Sequence, residues 1–130
     1  MSEEFKVEIV NPDKSFLSLE NAIEVIIPAF EGEMGILKDH ISIISFLKPG
    51  IITICTKSTQ EKYYIEDGIV EFKNNSLSVL TSSILNIKDL EKNQVQELLK
   101  AAENQLNKTE VSDQSKFLID QKIEVLRSIN

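Results

Sequence analysis

The feature that most limits how this chain can fold is a change of hydrophobic period near residue 86. Before it, apolar side chains alternate or sit in short β-branched runs between turn signals; after it, they recur at spacings of three and four. Strands followed by helices, with no alternation of the two, predict an α+β chain with segregated halves. The expected architecture is an N-terminal β-sandwich over residues 1–86 and a C-terminal antiparallel two-helix hairpin over residues 87–130.

In the first half, Phe5, Val7 and Ile9 alternate with Lys6 and Glu8, which reads as a half-buried strand ending at Asn11-Pro12-Asp13. Ala22 to Ile27 is a β-branched run that stops at Pro28, which has no N–H to give a central ladder. Ile41 to Leu47 is apolar at both alternations and predicts a strand covered on both sides. Two hairpins are expected. One joins Ile51–Thr56 to Lys62–Ile65, and the other joins Val70–Lys73 to Leu77–Leu80 through Asn74-Asn75-Ser76, where Asn tolerates positive φ. Seven or more short strands at this spacing point to a sandwich or barrel.

In the second half, Asp89 is placed to cap a helix whose apolar stripe is Val95, Leu98, Leu99, Ala102 and Leu106, ending near Asn107 at a length of about 28 Å. A polar break from Lys108 through Thr109 to Asp113 precedes a second stripe of Phe117, Leu118, Ile119, Ile123, Leu126 and Ile129. Two such helices have little core of their own, so the pair is expected to be the movable part.

Composition removes several functional classes. A net charge of -7 opposes binding to nucleic acid, which requires clustered Lys and Arg. The single cysteine, Cys55, lies in an apolar run and builds neither a disulfide framework nor a thiolate cluster. No apolar stretch reaches the roughly eighteen residues of a membrane span. The acidic start Met1-Ser2-Glu3-Glu4 is unlike a secretion or transit segment, so the chain is expected to stay where it is made.

Catalytic signatures are equally sparse. There is no Gly-rich phosphate loop of the Gly-x-x-x-x-Gly-Lys type, and His40 is the only histidine. His40 follows Asp39 directly, yet neighbours on an extended segment point apart, which is not a triad geometry. Glu31 and Glu33 fall short of a calcium loop, leaving a cation contact or a solvated acidic turn as readings. No cofactor or metal is expected. A ligand-binding sandwich regulated by its helices and a small hydrolase using His40 with a serine stand as alternatives on these grounds.

The ordered block Glu31-Gly32-Glu33-Met34-Gly35-Ile36-Leu37-Lys38-Asp39-His40, followed by Leu47-Lys48-Pro49-Gly50, resembles the most characteristic segment of the epsilon subunit of bacterial-type rotary F-type ATP synthases. The resemblance continues through Glu24-Val25-Ile26-Ile27-Pro28, Asp67-Gly68-Ile69-Val70-Glu71-Phe72 and Leu77-Ser78-Val79-Leu80 into both helices. It implies a non-catalytic central-stalk part that couples proton-driven rotation of the c-ring, through gamma, to ATP synthesis by the alpha/beta hexamer. Its implied place is the cytoplasmic face of the bacterial plasma membrane, peripheral, touching the membrane only through the complex. Glu31, Gly32, Glu33, Gly35 and His40 are implied to lie at the c-ring and gamma interface, with another sandwich face holding gamma. Gly32, Gly35, Gly50 and Gly68 also read simply as turn glycines.

Departures from the family pattern carry information. Where members bear an ATP-sensing motif ending in Arg-Ala, this chain has Leu90-Glu91-Lys92-Asn93-Gln94-Val95. Neutral Gln94 in place of Arg removes the residue best suited to a phosphate, so no nucleotide binding is expected. Lys116, Lys122 and Arg127 are the basic residues that the resemblance offers for regulatory contact with beta, and surface solvation is the other reading. Inhibition of hydrolysis stays open at this point.

Overall fold

The structure, a computed structural model, describes residues 3–108 and 110–129; Met1-Ser2 of the acidic start and Thr109 of the polar break lie outside the described residues. Ten strands precede two helices: β1 Phe5–Asn11, β2 Lys14–Ala22, β3 Glu24–Ala29, β4 Gly32–Ile36, β5 Ile43–Leu47, β6 Gly50–Cys55, β7 Gln60–Ile65, β8 Gly68–Lys73, β9 Ser76–Leu80, β10 Ile84–Asn86, then α1 Lys92–Leu106 and α2 Asp113–Ile129.

One ladder runs β10-β7-β6-β3-β5-β8-β9-β1-β2, with β4 on the free side of β3. Its weakest join is the single pair Ala29–Leu47 between β3 and β5. There the sheet folds on itself, so that β4, β3, β6, β7 and β10 face β5, β8, β9, β1 and β2. Inward-pointing residues of both layers make one core, including Val7, Ile9, Val25, Ile27, Ile52, Ile54, Ile65, Val70, Phe72, Leu77 and Val79. The rings of Phe5 and Phe72 meet edge to face at 5.7 Å, and those of Phe16 and Tyr63 at 5.5 Å. β1 lies parallel to β9, Val7 opposite Leu77 and Ile9 opposite Val79; the other pairings are antiparallel.

Several expectations need correction. β2 went unread because Phe16 and Leu17 point to opposite sides of an edge strand and are each only half-buried, while register shifts in its pairing with β1 break any clean alternation. The run from Ile41 to Leu47 is not covered on both sides: Ile44 is 72% exposed and Phe46 61%. Gly35 and Gly50 are strand residues and not turn residues. Gly50 is required because a Cβ there would run into the Pro28 ring of the neighbouring strand. Gly68 opens β8, where a Cβ would come within 2.9 Å of the Leu80 carbonyl.

The Asn74-Asn75 turn behaves as its sequence predicts, with φ of 53° and 55° at consecutive residues, the signature of a tight two-residue hairpin. Asp89 does not cap α1. It closes a 3-10 turn, Ile87–Asp89, whose cap is Asn86, with the Lys88 N–H donating to Asn86 Oδ1 at 3.0 Å. The α1 N-cap is Glu91, whose N–H donates to Gln94 Oε1 at 2.9 Å. Starting at Lys92, α1 has 15 residues and is about 22 Å long, shorter than expected. It does end at Asn107, its C-cap.

Candidate functional site

Alternation along β8 sends Val70 and Phe72 inward and leaves Ile69 and Glu71 outward. On the strands beside it the same outward face carries Phe46 of β5, opposite Ile69, and Leu80 of β9, also opposite Ile69. Phe46, Ile69 and Leu80 are 61%, 41% and 53% exposed, and Ile44 extends the row along β5. Three large apolar side chains abreast on one sheet face, with a fourth further along β5, cost free energy in water, about 25 cal/mol for each Å² left uncovered. A contiguous row of this kind marks a docking surface. A hollow lined by Pro12, Phe46, Asp67, Gly68, Ile69 and Leu80 gives the row relief.

The sequence reading missed this surface, having placed Ile44 and Phe46 in a doubly covered strand. Apolar β5 beside the acid Glu71 on the outer side of β8, opposite Ile44, becomes a readable signal only once the β5–β8 pairing is known.

Asp67 stiffens one end of that surface. Its carboxylate accepts from the Ser82 N–H at 3.0 Å and from the Ser82 hydroxyl at 2.7 and 2.8 Å, and the Thr81 hydroxyl donates to its carbonyl at 2.7 Å. Burial works against the charged carboxylate, but these bonds and the charge of Lys122 outweigh it and hold the carboxyl below its ordinary value.

The segment from Glu31 to His40 is spread over several contacts. Glu31 and Glu33 are exposed; the Ser45 hydroxyl reaches Glu31 at 3.4 Å, and Glu33 sits opposite Pro28. Gly32 has φ of 135°, and Gly35 lies opposite Ile26 within β4. His40 belongs with the β8–β9 turn. Its ring packs edge-on to Phe72 at 5.9 Å, and its Nδ1 donates to the Ile41 carbonyl at 2.7 Å. Asp39, at φ 67°, exchanges bonds with Asn75: its N–H donates to Asn75 Oδ1 at 2.7 Å, and Asn75 Nδ2 donates to Asp39 Oδ1 at 3.0 Å. The Asp39 carboxylate is thus turned to Asn75 and does not orient the imidazole, which is not the arrangement of a general base.

Of the basic residues on α2, Lys116 is exposed, Lys122 lies 3.5 Å from Glu66, and Arg127 lies 3.8 Å from Glu103 of α1. Leu90, Glu91 and Gln94 stand at the start of α1, where Gln94 serves the helix cap. Among the described residues no group of three His, Cys, Asp or Glu side chains is placed to hold a metal, and no helix is long and apolar enough to cross a membrane.

The exposed sheet row and the braced segment from Glu31 to His40 are the site features of a β-sandwich scaffold. Residues 4–87 match the family of the ATP synthase delta/epsilon chain, beta-sandwich domain. The chain is 68% identical, over its full length and that of the relative, to an ATP synthase epsilon chain of Pelagibacter ubique. It is 30% identical over 129 residues to one of Dichelobacter nodosus, covering 92% of this chain and 89% of that one. Its fold is similar to a chain of the Euglena gracilis mitochondrial ATP synthase, at a TM-score of 0.77 and 17% identity, covering 98% of this chain and 79% of that one. A chain of the Tetrahymena thermophila mitochondrial ATP synthase central stalk and c-ring gives 0.66 at 14% identity, covering 98% and 96%. The chain therefore belongs to the ATP synthase epsilon-chain family.

Proposed function

We propose that this chain is the part of the rotor that joins the gamma shaft to the c-ring, turning with both while the alpha/beta hexamer makes ATP. The row Ile44, Phe46, Ile69 and Leu80 is the observation that carries this reading, and gamma is the partner it fits. A part that transmits torque without slipping needs a broad complementary contact, about 800 Å² on each partner, and the exposed apolar row would stand at the centre of one. Glu31, Gly32, Glu33, Gly35 and His40 form the foot toward the c-ring, on the β3–β4 hairpin and the segment after β4, braced by Ser45, Asn75 and Phe72.

In this reading residues 1–86 grip and residues 87–130 regulate. Lys116 is free to meet an acidic segment of beta, whereas Lys122 and Arg127 must first leave Glu66 and Glu103. Gln94 is committed to the α1 cap, which supports an epsilon chain without a nucleotide site. The working place is the cytoplasmic face of a bacterial plasma membrane, reached through the complex.

The placement of the foot is tested by Glu33→Cys, in a Cys55→Ser background, oxidised against cysteines in the polar loop of the c-ring in assembled membranes. A cross-link is expected, and its absence from fully assembled complexes would reject that placement.

A further inference from the structure

Tyr64 is 2% exposed, yet it is not part of the sandwich core. Its neighbours Tyr63 and Ile65 fill the inner side of β7, so alternation sends Tyr64 outward. There it lies between Ile51 of β6 and Leu85 of β10 in one cross-strand row. On this face α2 packs along β6, and the 3-10 turn Ile87–Asp89 lies against β7.

That cover is thin. Val95 and Ala102 are the buried residues of α1, and Ile123 and Leu126 those of α2. A groove of about 310 Å³, lined among others by Pro28, Pro49, Ile51, Gln121 and Val125, separates part of α2 from the sheet. Of the described ion pairs, the one joining α2 to the sandwich is Lys122–Glu66 at 3.5 Å; Arg127–Glu103 joins the helices to each other. The Tyr64 hydroxyl donates to Glu66 Oε2 at 3.0 Å, leaving Oε1 for Lys122. One carboxylate is thereby held from below by the sheet and from above by the helix, next to buried Ile123.

We propose that Tyr64, Glu66 and Lys122 form a clasp that seats the helical pair on the β6–β7–β10 face, and that breaking it releases α2. The clasp is wholly within this chain, so its failure would leave the rotor assignment standing.

Hydrogen exchange of the full chain tests it, with α2 amides reporting release and β1 and β9 amides reporting the fold. Lys122→Glu and Glu66→Lys are each expected to speed exchange in α2 by about three- to ten-fold, with β1 and β9 unchanged. Tyr64→Phe, which keeps the ring and loses the hydroxyl, is expected to give about two- to five-fold. The exchanged pair Glu66→Lys with Lys122→Glu should return α2 to within about two-fold of the parent, the mark of a direct coupling. Should a charge reversal also loosen β1 and β9, Lys122→Met replaces it under the same criteria. Parent rates in the single variants, or an exchanged pair as fast as either single variant, would overturn the clasp.

Discussion

The sandwich and the helical pair bury their side chains to very different extents. The sandwich closes a two-layer core in which large residues such as Phe72, Ile9, Ile27 and Leu77 are lost from solvent. The helical pair completes its burial with Val95, Ala102, Ile123 and Leu126. At about 25 cal/mol per Å² of apolar area buried, the first region holds itself together and the second depends on what it rests upon. A self-supporting body carrying an element that buries little of its own is the arrangement the proposed rotor role would use.

The largest expected effect sharpens that contrast at the sandwich. Phe72→Ala empties the centre of the core, touches both Phe5 and His40, and is expected to lower global stability by about 3–5 kcal/mol. Urea titration should show a lower midpoint, with the helices lost no later than the strands. Helices that outlast the strands would show that they hold themselves.

Leu126→Ala probes the other region. Leu126 is fully buried, and the substitution is expected to cost about 2–4 kcal/mol, charged to the helical seat. Hydrogen exchange should rise in α1 and α2 while β1 and β9 keep their protection. Equal loosening of both regions would break the comparison.

How much of this was legible in the sequence follows from what each pattern reports. Period-two runs such as Phe5-Val7-Ile9 and the Asn74-Asn75 turn reveal themselves locally, because backbone geometry and one-sided burial impose them. The stripes of both helices were legible for the same reason. The docking face was not: an exposed Phe46 and a buried Ile27 are the same kind of residue in a sequence, and only the facing layer distinguishes them. Gln94 was read for the charge it lacks, whereas its actual work is capping with Glu91, which depends on where α1 begins. Lys122 and Glu66 are distant in sequence, so their pairing is visible only once the hairpin is seated.

A smaller effect comes from pH. Burial, then the charge of Glu66 and the bond to it, pushes the Tyr64 hydroxyl above its ordinary value near 10. Burial followed by the charges of Glu61 and Asp89 raises Tyr63 as well. A folded-state value above the unfolded one means a contribution fully present below about pH 10 and lost as pH rises beyond it. Alkaline titration should therefore loosen α2 and weaken the sandwich above that point, and Tyr64→Phe should remove the share of the α2 response that this hydroxyl carries. At the other extreme Asp67, whose folded value is lowered, contributes stability above its unfolded value that is lost as pH falls through the folded one.

Attachment through the outer sheet face is the claim on which the rest depends, and the double substitution Phe46→Asp with Ile69→Asp tests it most directly. Both positions are exposed, so the isolated chain should fold and melt much as the parent does. Reconstituted with the rest of the synthase, it should fail to co-purify with gamma and should leave proton-driven ATP synthesis at the level of complexes lacking this chain. Retention on gamma with full coupling would contradict the account.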